Sequence, residues 1–137
     1  MREVQSLAEW PAVIVGAPLY IGRFPDEFHE FLARHLEVLA LRRPWCFVLG
    51  PTRTVAADFL AAQKQAETQL ARYPWFRPAS LKIFGGRWGL EHLTFPFSLV
   101  RHLPVSLLSK IPPADIRDWT AIREWAQEVA RHIKPAA

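Results

Sequence analysis

Cysteine is nearly absent: Cys46 is the only one in 137 residues. That excludes a disulfide framework and leaves no second thiol to share a metal ion. Flanked by Trp45 and Phe47 in an apolar stretch, Cys46 is expected to be a buried core residue in a reducing, cytoplasmic compartment. Long apolar runs are lacking too. None reaches the roughly 18 residues of a membrane span, and the best candidate, Leu93 to Leu108, is broken by Pro96, Arg101, His102 and Pro104. The opening residues MREVQSLAEW have neither the apolar centre nor the small-residue cleavage site of a secretory signal. The chain contains no G-x-x-x-x-G-K-S/T loop, no G-x-G-x-x-G fingerprint and no G-x-S-x-G turn, which removes the usual nucleotide-binding routes and a hydrolase triad. His29, His35, His92, His102 and His132 show no H-x-x-x-H spacing, so no metal site is expected.

What is present describes one folded domain over residues 1–137. Half of the residues are hydrophobic and 12% aromatic, which excludes disorder. Twelve prolines and six glycines, without a period, mark many short turns. Lys and Arg number 17 against 13 Asp and Glu, a net charge of +4, but the basic residues are dispersed and no run exceeds Arg42-Arg43. A nucleic-acid partner is therefore not expected.

The apolar pattern alternates between strands and helices. Ala12-Val13-Ile14-Val15-Gly16 reads as a strand buried on both faces. A loop to Phe24 follows, and Pro25, Asp26 and Glu27 open a helix that runs to about Leu41, with Phe28, Phe31, Leu32, Leu36 and Leu39 on its inner face. Trp45 to Leu49 reads as a second strand. It is followed by Gly50-Pro51-Thr52-Arg53-Thr54 and an Ala- and Gln-rich helix from about Val55 to Tyr73, with Thr54 as N-cap. Ser80 to Phe84 is the third strand, ending in Gly85-Gly86. A last helix carries Ile122, Trp125, Ala126, Val129 and Ile133 on one face, capped by Asp118 or Thr120. This order predicts an α/β fold with a parallel sheet and helices on both faces. Ligands of such sheets lie beyond the carboxyl ends of the strands, which directs attention to residues 16–24, 50–54 and 85 onward. Asp115-Ile116-Arg117-Asp118-Trp119 could supply an acid/base pair, but an ion pair and a helix cap explain it more simply. Packing is the first explanation for Trp45, Trp75, Trp88, Trp119 and Trp125.

Four blocks in order, VIVGAPLYIGRFP (13–25), WCFVLGP (45–51), FGGR (84–87) and DIRDWTAIREWA (115–126), resemble the flavodoxin-domain family. The branch most similar is that of the menaquinone-dependent protoporphyrinogen dehydrogenases. The resemblance implies a flavodoxin-like three-layer sandwich that binds FMN, with the flavin ring between the loops after the family's third and fourth strands. By position, the first loop is Ala17, Pro18, Leu19, Tyr20, Ile21 and Gly22, and the second is Gly50, Pro51 and Thr52. Tyr20 would offer a π-face to the ring, and Gly22 and Gly50 would let backbone N–H groups reach its polar edge. An oxidoreductase or electron-transfer role is implied, with a redox partner or quinone as acceptor and a porphyrinogen as one candidate substrate. The stretch 90–113 would be the counterpart of a family insertion approaching substrate or membrane, or else a flap over the core.

The resemblance begins at the family's third strand, so the expectation is a sheet reduced to strands three, four and five. The Ser/Thr-rich phosphate loop, its helix and the strands beside them have no counterpart, which would weaken or abolish FMN binding. The strand at 12–16 would then be an exposed edge. Two explanations stand at this point: a true start upstream, or a minimal variant that pairs edge to edge as a homodimer or with another protein, without flavin.

Overall fold

Three apolar runs, each closed by a glycine or a turn, form the sheet. The computed structural model describes residues 4, 6–88 and 114–133. In chain order it contains β1 (Ile14–Pro18), α1 (Asp26–Arg34), α2 (Leu36–Arg42), β2 (Trp45–Leu49), α3 (Ala56–Leu70), β3 (Ser80–Phe84), β4 (Arg87–Trp88), β5 (Ala114–Asp115) and α4 (Trp119–His132). β1, β2 and β3 form a parallel sheet in that order. β4 and β5 pair antiparallel, Arg87 with Asp115 and Trp88 with Ala114. The family insertion expected at 90–113 lies outside the described residues. Among those described, no helix is long and apolar enough to cross a membrane.

Strand alternation sorts the sheet's side chains into two cores. On one face Val15, Ala17, Cys46 and Val48 pack with Phe28 and Leu32 of α1, Leu39 of α2, and Ala66 and Leu70 of α3. On the other, Trp45, Phe47, Leu49 and Phe84 pack with Trp125 and Val129 of α4. The result is the three-layer α/β sandwich expected from the sequence. Burial pushes the Cys46 thiol up to about 12. A thiol reagent at neutral pH should therefore leave the native chain unmodified and label it stoichiometrically in denaturant. Rapid labelling of the native chain would contradict this packing.

Several boundaries differ from the sequence reading. The first strand is Ile14–Pro18 rather than Ala12–Gly16, and it is covered on one face only: Ile14 and Gly16 are exposed. The open face at Gly16 is occupied by its register partner Phe47, since a Cβ there would lie 2.2 Å from the ring's Cζ and 2.5 Å from Cε1. The expected helix to Leu41 is two segments, because His35 leaves helical geometry at φ −109°, ψ 20°. That turn buries His35 and rotates Leu36, expected inside, to 40% exposure. Thr54 does not cap α3. Val55 is its N-cap, with no side-chain cap bond. On α4, Ala126 faces solvent and Ala121 joins the core instead. Asp118 does cap α4, its carboxylate accepting the N–H groups of Thr120 at 2.9 Å and Ala121 at 3.0 Å.

Candidate functional site

The carboxyl end of the sheet is built from three strand exits. At the first, Leu19 N–H donates to the Leu49 carbonyl at 2.8 Å, which continues the β1 register one residue beyond Pro18. The chain then reverses. Tyr20 N–H donates to the Arg23 carbonyl at 2.8 Å, and Arg23 N–H donates back at 3.0 Å. The two central residues, Ile21 and Gly22, have φ of 50° and 72°. Two successive positive φ values define a type I′ turn, for which glycine and asparagine are suited and a β-branched residue is not. Ile21 is held in a strained conformation and is nevertheless 92% exposed, a combination found where strain is kept for function.

Gln69 of α3 fixes this turn, and Gln65 on the same helix face packs against it. Gln69 Nε2 donates to the Gly22 carbonyl, and its Oε1 accepts the Phe24 N–H at 3.0 Å. One helical turn earlier, the end of the Gln65 side chain lies where a Cβ on Gly22 would be, at 3.0 Å. Neither glutamine was singled out from sequence, and the only trace was the Gln-rich composition of that helix.

The second exit is tied to the third. Gly50 N–H donates to the Phe84 carbonyl at 3.1 Å, and Gly86 N–H donates to the Pro51 carbonyl at 2.7 Å. The Gly86 carbonyl in turn accepts the Ile116 N–H at 3.1 Å. Arg53 meets Asp58 with both ends of its guanidinium, at 2.9 and 3.1 Å. Near the third exit, Arg117 donates to Asp115 at 2.8 and 2.5 Å and stacks over Trp119 at 5.1 Å. The hydrogen bonds from Arg117 hold the Asp115 carboxyl down at about 2. The pair is thus fully formed above the ordinary carboxylate range and is lost only as pH falls through about 2. This is the structural ion pair expected from sequence, rather than an acid/base couple.

The first two loops converge on one cavity of about 330 Å³. Leu19, Ile21 and Gly22 line one side, Gly50, Pro51 and Thr52 the other, and Ala62 and Gln65 of α3 form part of the floor. Six of the nine residues expected to contact flavin therefore lie around one space. Ala17 and Pro18 belong to β1, with Ala17 turned into the core. Tyr20 is not among the lining residues, whereas its neighbour Ile21 is.

A family model described as a flavodoxin domain matches residues 1–96. The chain belongs to the flavodoxin-domain family. The match covers β1 to β4 and both loops that line the cavity, and it does not single out the protoporphyrinogen dehydrogenase branch. No curated protein and no solved structure matches the chain. In a flavodoxin domain the expected ligand is a flavin, and the cavity suits the ring part of it: apolar side chains of Leu19, Ile21 and Pro51 stand beside loop N–H groups of Ile21 and Gly22 that the turn itself does not use. The phosphate is served less well. Among the described lining residues the only cation is Arg53, already engaged by Asp58.

Proposed function

We propose that this flavodoxin domain binds the isoalloxazine ring of FMN between residues 19–22 and 50–53 and serves as an electron-transfer domain. The observation that carries the reading is Ile21: a β-branched residue held at φ 50° and 92% exposed, at the mouth of a cavity formed by the two loops. The flavin, when bound, supplies the redox chemistry. The chain's own residues do the rest. Ile21, Leu19 and Pro51 exclude water from the faces of the ring, and the N–H groups of Ile21 and Gly22 are available to its carbonyl edge. Gln69 holds the turn in place, with Gln65 packed against it, before the ligand arrives, so less ordering is needed on binding.

Titrating FMN with the purified chain should quench flavin fluorescence saturably. Ile21→Asn separates binding from folding, because asparagine tolerates a left-handed turn that isoleucine does not. The variant should be as stable as the parent or more stable by roughly 0.5–1 kcal/mol. It should bind FMN about tenfold more weakly, since the lost apolar contact is worth roughly 1.4 kcal/mol. Unchanged affinity in Ile21→Asn would remove Ile21 from the site.

A further inference from the structure

Among the described residues β1 is an edge of the sheet, and none of them pairs with its outward backbone. Trp45 N–H donates to the Val13 carbonyl at 3.0 Å and Leu19 N–H to the Leu49 carbonyl at 2.8 Å. In this register the odd-numbered residues turn their backbone groups toward β2, and Ile14, Gly16 and Pro18 turn theirs away. Pro18 has no N–H. No hydrogen bond of the described residues uses the outward N–H and C=O groups of Ile14 and Gly16. Beside this edge a groove of about 420 Å³ runs between β1 and α1, with Val4, Val15, Phe28 and Phe31 among its apolar lining and Glu27, Glu30 and Arg34 along it.

We propose that a second copy of this chain occupies this edge, its β1 running antiparallel about a two-fold axis at Val15. The free groups select the register. With Ile14 opposite the partner's Gly16, every outward N–H and C=O of those two residues on both strands finds a partner, and Pro18 falls beyond the ladder, where its missing N–H costs nothing. Centring the axis on Gly16 would instead set Pro18 opposite Ile14 and leave the Ile14 carbonyl without a donor.

The side chains suit the same arrangement. Val15 then faces the partner's Val15 at a non-hydrogen-bonded site, with Cβ atoms about 4.5–5.5 Å apart, on the groove side of the sheet. Ile14, 49% exposed, comes beside the partner's Gly16, where the ring of the partner's Phe47 supplies apolar surface. Charge favours a second copy over an arbitrary strand. α1 begins with Asp26 and Glu27 and ends with Arg34, and the two-fold axis runs the two α1 helices in opposite directions, so the acidic start of each lies toward the basic end of the other.

The test uses the whole chain without flavin, and its readout is independent of the flavin site. By sedimentation the chain should have twice its mass of 15.7 kDa. Ile14→Lys, at an exposed position, should raise the monomer–dimer midpoint by tenfold or more, a shift of about 1.4 kcal/mol, with an unchanged circular dichroism spectrum. Under oxidation, in a Cys46→Ala background that removes the thiol opposite residue 15 in its own sheet, Val15→Cys should give a covalent dimer and Ile14→Cys should not, because the axis brings only the two copies of residue 15 face to face. A monomeric parent chain overturns the proposal. So does a dimer unaffected by Ile14→Lys, or cross-linking through residue 14 in place of residue 15. If Val15→Cys fails to fold, the response of the folded Ile14→Lys variant decides.

Discussion

Trp125→Ala is expected to destabilise the chain by roughly 3–5 kcal/mol, the range for removing a buried tryptophan. The magnitude follows from its position. Its ring lies 5.8 Å from Phe47, 5.8 Å from Phe84 and 6.4 Å from Trp45, each in an edge-on arrangement. These residues form one core cluster between α4 and the sheet with Val129, Leu49, Ala121, Ile122 and Ile133. Without the indole, α4 retains Val129 and its partly buried flanks, and the second core is opened to water. Against a total stability of about 5–15 kcal/mol for a domain, that is a large fraction. The indole Nε1 is buried without a hydrogen-bond partner among the described residues, and a buried unsatisfied donor is itself costly. Trp125→Phe should therefore cost much less than Trp125→Ala, because it keeps an aromatic ring and removes the orphaned donor. Urea unfolding of both variants measures the difference. Equal losses would mean that the ring contacts do not hold α4 in place.

The second large effect is expected at Gly85. A Cβ there would lie 2.3 Å from the Ile116 carbonyl oxygen and 3.1 Å from its carbonyl carbon. Backbone cannot swing aside as a side-chain tip can. Ile116 is also tied to Gly86 by a hydrogen bond and follows directly on β5. Gly85→Ala must displace either that segment or the end of β3, at a cost of roughly 1–3 kcal/mol for overpacking, here toward the upper end. The consequence reaches the cavity. Gly86 donates to Pro51, and Gly50 donates to the carbonyl of Phe84, so moving the β3 exit moves the second loop. Gly85→Ala should lower the urea midpoint and also weaken FMN quenching, although Gly85 is not among the residues lining the cavity. Full-strength quenching in a destabilised Gly85→Ala chain would show that the second loop is set independently of the third exit.

The parts of this fold that were legible in sequence are those carried by local pattern. β2 and β3 appear with the expected bounds because Trp45 to Leu49 and Ser80 to Phe84 are continuous strand-forming runs stopped by Pro44, Gly50 and Gly85. β1 begins and ends two residues later than the apolar run Ala12 to Gly16 suggested. Pro18 is tolerated in the strand because the N–H it lacks would have pointed to the open edge. The break at His35 left no trace, since the apolar spacing continues through it. β4 and β5 were not seen because each is two residues long and their pairing joins distant parts of the chain.

At the site, the resemblance named both loops, Tyr20 and Ile21 among their residues, and six of those nine residues line the cavity. Ile-Gly is not a dipeptide that signals a type I′ turn, so the exposed, strained residue was visible only in the backbone geometry. The roles of Gln65 and Gln69 depend on the packing of α3 against the turn, which no local pattern encodes.

The central claim is that the two loops hold a flavin ring while the described residues provide no dedicated phosphate site. Its most direct test is a pair of fluorescence titrations of the 137-residue chain, one with FMN and one with riboflavin, which has the same ring and no phosphate. Both should be quenched saturably, with dissociation constants within about threefold of each other. A phosphate held by charge-assisted hydrogen bonds would add roughly 1.5–3 kcal/mol to FMN binding, more than tenfold in affinity. The absence of saturable quenching by either compound, or a tenfold or greater preference for FMN, would contradict the account.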